Sequence, residues 1–264
     1  SFWEMLRTKR DSLTKSGGIV ADYLVQHAED AQYLSISSLA NACGVAEATI
    51  FRFCRSLGFD GYNEMKIALA KATATAMPVA LKLEPGVDTQ TLVTHAYNTA
   101  VEALNGTRSV LDPDAIDHAA TLLQRARQVY CLGQGGSQVL AEDIWARFSM
   151  ISTKFRTAGD SHMQAITASL MGPEDVLLFV SYSGSTRDMM DTLRLAKENG
   201  AKVILITHYD DAPGAALADV VLLCGAQENP LDSGSIPAKL AMLFVANVLV
   251  LRYTLDNQEL ANLS

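Results

Sequence analysis

The chain has 264 residues and a formal net charge of −8, with 49% hydrophobic and 19% charged residues. This composition excludes a disordered chain, and the length allows one large domain or two smaller ones with substantial cores. The longest apolar run, AKLAMLFVANVLVLRY, carries Lys239 and Asn247 and falls short of the ~20 apolar residues of a membrane span, so a buried or interface helix is expected there and no membrane partner.

The start, SFWEMLRTKR, is amphipathic and has no cleavage-type apolar core, so no secretory leader is expected. The four cysteines, Cys43, Cys54, Cys131 and Cys224, lie far apart in apolar surroundings. Buried thiols in a reducing cytoplasm are expected, with no metal site and no cofactor. Residues 1–75 carry eight Lys/Arg and eight Asp/Glu, so the acidity belongs to the rest of the chain. A neutral N-terminal module can still bind DNA through a local basic face.

The first helical pattern is IVADYLVQH over 19–27, with Ile19, Val20, Tyr23 and Leu24 at helical spacing, and short helices are expected to about Lys71. Within them, SISSLANACGVAEATIFRFCRSLG has the spacing of a helix-turn-helix. Ala40 is small where two helices cross, Gly44 suits the turn, and Val45 closes the corner. In the second helix Ile50, Phe53, Cys54 and Leu57 form one apolar stripe. At about 100° per residue, Arg52 and Arg55 fall roughly opposite that stripe, flanked by Thr49 and Ser56. Two arginines alone would be an ordinary solvated face. Within this framework they suit a major groove, where Arg bonds guanine and Thr meets a phosphate or a thymine methyl. Gly58 ends the helix, and Tyr62 and Lys66 of the next are either phosphate contacts or a packed Tyr and a solvated Lys.

Pro78, Pro85 and Gly86 mark a linker over 78–87, which separates a domain at 1–77 from one at 88–264. Two helices are expected over 88–127, the second capped by Asp112 with Pro113 at its first position. From Gln128 the short apolar runs VYCLG, KFRTAG, VLLFVS, KVILIT and VVLLCG alternate with helical patterns, which indicates a parallel sheet covered on both faces. A last apolar helix spans about Ile236 to Tyr253.

Two of these units end in loops suited to an anion. VYCLGQGGSQVLAEDI is strand, glycine-rich turn and helix, with Gly135, Gly136 and Ser137 in the turn. VLLFVSYSGSTRDMMDTL repeats the arrangement with Ser181, Ser183, Ser185 and Thr186 around Gly184. Free N–H groups at a helix start, with hydroxyl donors beside them, suit a phosphate monoester; alone, either loop could be no more than a helix cap. Gln138 stands where G-x-G-x-x-G wants its last glycine, no Lys follows the glycines, and SYSGS does not fit G-x-S-x-G. A dinucleotide site, a triphosphate P-loop and a hydrolase elbow are therefore poor readings.

The stretch from SISSLA through GVAEATIFRFCRSLGFDGYNEMKIALA resembles the N-terminal domain of the RpiR family of bacterial transcription regulators. Residues 128–254 resemble a SIS (sugar isomerase) domain, a phosphosugar-binding α/β fold of five parallel strands flanked by helices, and the order of the two is the RpiR arrangement. The resemblance implies an all-α helix-turn-helix domain followed by an α/β SIS domain, with operator DNA and a phosphosugar effector as partners. It matches SYSGST to the family's phosphate loop and Ser137 to the serine of the first loop. Family members often have Ser or Thr where Ala46 stands, and isomerising relatives often have Glu where Ser185 stands.

Two functions compete: a DNA-binding regulator that senses a sugar phosphate without catalysis, and a sugar-phosphate isomerase with an accessory helical domain. Isomerisation needs a base near C1–C2 and often a His to open the ring. His162, His208, Glu228 and Asp232 are candidates, none in a catalytic motif, and His162 is expected to cap a helix or line the effector pocket. The regulator is the preferred reading. Palindromic half-sites and the apolar helix, through Leu240, Leu243, Phe244 and Val248, imply a homodimer or homotetramer.

Overall fold

A computed structural model describes residues 2–74, 86–225 and 236–263. Most of the linker expected at 78–87 therefore lies outside the described residues. Two compact units are present, with the boundary between Tyr97 and Asn98.

The N-terminal unit holds α1 (Phe2–Lys9), α2 (Lys15–Gln26), α3 (Ala28–Ala31), α4 (Ile36–Cys43), α5 (Glu47–Leu57) and α6 (Tyr62–Ala74). Its starts and stops follow the side chains. Thr14 accepts from the Gly17 amide to begin α2, and Ser35 accepts from the Ser38 amide to begin α4. Gly44, at φ 64°, ends α4, and the Val45 amide reaches back to the Ala40 carbonyl. Gly58 ends α5 in the same way, with the Phe59 amide on Cys54. Ala46 begins α5 with no side-chain cap. Leu39 and Ala40 of α4 and Ile50, Phe53, Cys54 and Leu57 of α5 are buried together, and Val45 packs against them. Phe2 and Leu6 of α1 complete this core, with Phe2 stacked on Phe59.

The second unit contains the end of α7 (Thr89–Val110), then α8 (Pro113–Arg125), β1 (Gln128–Gly133), α9 (Gly136–Ser149), β2 (Phe155–Thr157) and α10 (Ser161–Leu170). It continues through β3 (Asp175–Val180), α11 (Arg187–Glu198), β4 (Lys202–Thr207), α12 (Pro213–Leu217), β5 (Val220–Leu223) and α13 (Ile236–Leu263). The strands form one parallel sheet in the order β2-β1-β3-β4-β5. Both faces are covered. Val176, Leu178 and Val180 face a core built with α8, α9 and α13, while Leu177 and Phe179 face Met189 and Leu193 of α11 and Ala168 of α10. The strands therefore read as continuous apolar runs although each residue serves one face only. Asp112 accepts from the Asp114 amide and caps α8, with Pro113 in its first turn.

The apolar C-terminal helix differs from its expected length. Within α13, Ile236–Gln258 is long and apolar enough by length and composition to cross a membrane. Its Ala241, Val245, Leu249 and Tyr253 are buried in the sheet's helical layer, with Tyr253 edge-on to the stacked Phe148 and Phe155 rings.

Candidate functional site

In the N-terminal unit, burial of the α5 stripe turns Arg52, Arg55 and Ser56 to solvent. Both arginines are held. The Arg52 guanidinium donates to Thr49 Oγ1 at 3.2 Å, and Arg55 Nη1 pairs with Asp60 Oδ1 at 2.6 Å. Lys9 Nζ donates to the Ser56 carbonyl at 2.7 Å, which sets a cation at the negative end of α5. Thr49 corrects the expectation of an outward residue: it is 9% exposed and supports Arg52 from below. Tyr62 and Lys66 turn inward as well. The Tyr62 hydroxyl donates to the Leu34 carbonyl at 2.9 Å, and buried Lys66 donates to the same carbonyl at 3.0 Å. They tie α6 to the segment before α4 and are not offered to a phosphate. Burial pushes the Cys54 thiol up to about 12, so it is a core residue and not a nucleophile.

In the second unit, β1 and β3 are neighbours, with Gly133 level with Val180. From β1 the sheet grows to β2, and from β3 it grows the other way to β4. The two loops thus open side by side where the strand order reverses, the place where open α/β sheets bind ligands. The first loop is narrow: a Cβ on Gly133 would lie 2.5 Å from the Ser137 carbonyl oxygen. In the second, Gly184 has φ 58°, and a Cβ there would lie 2.7 Å from Ala212 Cβ. Ser181 is buried, and its Oγ accepts from the Gly184 amide at 3.2 Å. Ser137, Ser183, Ser185 and Thr186 are half-buried, and Gly135 and Gly136 are exposed.

Neither α9 nor α11 has a side-chain cap at its start. Thr186 occupies the cap position of α11, but its hydroxyl donates to Gln134 Oε1 of the first loop at 3.2 Å. At α9 the Ser137 and Gln138 amides turn back to the Gln134 and Gly135 carbonyls, so the start of α11, with no side-chain cap, is the one whose N–H groups best suit an anion. The sequence reading did not single out Lys239, whose Cε is 3.8 Å from the Cβ position of Gly136, so that a cation stands beside the first loop. Its signal was a lone Lys in an otherwise apolar helix.

His162 is exposed in the first turn of α10, and the helix is capped instead by Asp160, which accepts from the Met163 amide at 2.9 Å. Gln164, which is 0% exposed, pins α10 to the first loop by donating to the Gly133 carbonyl at 2.7 Å. The His208 ring stacks on Tyr182 with centroids 5.0 Å apart, and its Nδ1 is 2.8 Å from the Cys224 carbonyl, which makes that nitrogen the proton donor. Glu228 and Asp232 lie outside the described residues.

Comparison with known proteins matches both units. Residues 2–76 match the helix-turn-helix domain of the rpiR family, and residues 122–252 match the SIS domain. The HTH-type transcriptional regulator HexR of Pseudomonas aeruginosa is 32% identical over 96% of this chain and 88% of its own. The solved Vibrio vulnificus NanR protein complexed with ManNAc-6P superposes with a TM-score of 0.83 at 26% identity, over 99% of this chain and 94% of that one. A Bacteroides fragilis chain proposed as a phosphosugar isomerase shares the fold of the second unit, with a TM-score of 0.57 at 21% identity, over 65% of this chain and 92% of that one.

Proposed function

This chain belongs to the RpiR family of helix-turn-helix transcriptional regulators, and from that premise we propose that it binds operator DNA through α5 and responds to a phosphorylated sugar held between the first and second loops. The observation that carries the reading is the start of α11 at the β1–β3 reversal, without a side-chain cap and lined by Ser183, Ser185 and Thr186. The α11 start and the serine hydroxyls hold the phosphate, Ser137 holds a sugar hydroxyl, and Lys239 adds positive charge. His162 completes the pocket from α10. That NanR was solved with ManNAc-6P supports a phosphorylated amino sugar as one of the ligands to try.

The protein acts as a sensor and not as an isomerase. The relatives support this, since HexR, 32% identical over 96% of this chain, is a transcriptional regulator. In this reading the helix-turn-helix domain takes the DNA and the SIS domain takes the sugar phosphate. DNA affinity then depends on the sugar only through a coupling free energy.

A thermal-shift screen with ManNAc-6P, glucose 6-phosphate and inorganic phosphate, followed by mobility shifts on the protein's own promoter, tests the whole reading. A charge-assisted hydrogen bond is worth ~1.5–3 kcal/mol, so Ser183→Ala should weaken sugar-phosphate binding about ten- to a hundredfold and leave basal DNA affinity unchanged. Equal binding by mutant and wild type would move the phosphate elsewhere. Aldose–ketose conversion of the bound sugar would favour the isomerase.

A further inference from the structure

The feature that neither the phosphate loop nor the helix starts explain is the side chain of Gln134. It leaves the end of β1 directly after Gly133, and its backbone is fixed because the Ser137 amide donates to its carbonyl at 3.0 Å. One end of its amide, Oε1, accepts from the Thr186 hydroxyl of the second loop. The other end, Nε2, is buried and has no hydrogen-bond partner among the described residues. Reversing the amide does not remove the problem, for then Nε2 would donate to Thr186 and Oε1 would be the buried atom without a partner. A half-buried amide held across two loops, with one buried end unsatisfied, is a site waiting for a polar group.

The geometry points to Gln134 as the residue that separates a phosphorylated sugar from phosphate itself, its unpaired amide end meeting a hydroxyl of the ligand. This rests on the proposed sugar-phosphate reading and adds the group that recognises the sugar. The amide is neutral, and its bonded Oε1 is an acceptor, so the residue adds no charge for a phosphate dianion. A hydroxyl both donates and accepts, so it satisfies the free end in either amide orientation. A site built to hydrogen-bond a hydroxyl strongly rejects a ligand that lacks it, because the protein group is then left buried and unpaired. The bond to Thr186 adds orientation: it fixes the amide plane, and it draws the Thr186 side chain away from capping its own helix.

The test compares ligands within one variant. Gln134→Met keeps the length of the side chain and removes the amide; Gln134→Asn keeps an amide too short to span the loops. Affinity for ManNAc-6P, glucose 6-phosphate and inorganic phosphate is measured by calorimetry or by thermal shift at millimolar ligand. Both variants should bind the sugar phosphate that wild type prefers at least tenfold more weakly, and bind inorganic phosphate within about twofold of wild type. Equal losses for sugar phosphate and phosphate would mean that Gln134 only shapes the loop, and would overturn the assignment. So would an unchanged sugar-phosphate affinity in a protein whose Ser183→Ala variant has lost it; in that case the site reading survives and only the role of Gln134 falls. If wild type binds none of the sugar phosphates, both readings fall together.

Discussion

At the scale of single residues, α5 and the start of α6 separate groups that their spacing had put together. Arg52 and Arg55 are exposed and lightly tethered, since an ion pair between exposed partners such as Arg55 and Asp60 contributes little and is readily exchanged for a base or phosphate. Thr49, Tyr62 and Lys66 are buried, with neighbours that hold the fold. Arg52→Ala and Arg55→Ala should each weaken specific operator binding by ~1–3 kcal/mol if each pairs with a base. Tyr62→Phe should leave DNA affinity unchanged and lower thermal stability, because it removes the hydroxyl bond to Leu34. Mobility shifts at fixed salt, with melting curves alongside, check the contrast. The spacing gave the angle of each side chain around α5. It could not give the position of the Leu34 carbonyl, which comes from another part of the chain.

At the scale of elements, α5 begins without a cap. Ala46 already has the extended conformation of a cap residue, φ −75° and ψ 150°, and lacks only a side-chain oxygen. Ala46→Ser should stabilise the N-terminal unit by ~0.5–2 kcal/mol, seen as a rise of several degrees in its melting temperature. In the second unit, Asp219 joins α11, β4 and β5: it accepts from Lys197, Lys202 and the Val203 amide. Burial raises its carboxyl, but the bonds from Lys197, Val203 and Lys202 outweigh this and hold it below its ordinary value. A depressed folded-state value stabilises the protein above the unfolded carboxylate range, about pH 4, and that contribution disappears as pH falls through the folded value. Asp219→Asn should therefore melt earlier than wild type at pH 7, and the gap should close below about pH 4. Thermal melts of both proteins across that range measure it. These elements were legible: β3 and β4 were read from their apolar runs, and α8 from Asp112 and Pro113. Asp219 was not, because its partners come from two other elements, α11 and β4.

At the scale of the whole molecule, α13 buries one face and leaves another apolar. Leu251 and Leu255 are 56% and 54% exposed, on the same flank as the half-buried Leu240, Phe244 and Val248. A two-fold operator calls for a two-fold protein, and this flank is the proposed contact between copies. Light scattering should give at least a dimer at micromolar concentration, and Leu251→Glu with Leu255→Glu should shift it toward monomer. A monomeric wild type would remove the basis for half-site binding.

The sequence by itself determined the elements and the class of chemistry. Period 3.6 with Ala40, Gly44 and Ile50 made the helix-turn-helix, and apolar runs between helices made a parallel sheet, because backbone geometry and burial act over a few neighbouring residues. Only the tertiary structure decided what those elements bring together. It set Gln134 against Thr186, Lys239 beside Gly136, and Gln164 under the first loop. These pairs lie 31 to 103 positions apart, and no local pattern encodes a contact whose two halves are brought together only by the tertiary fold.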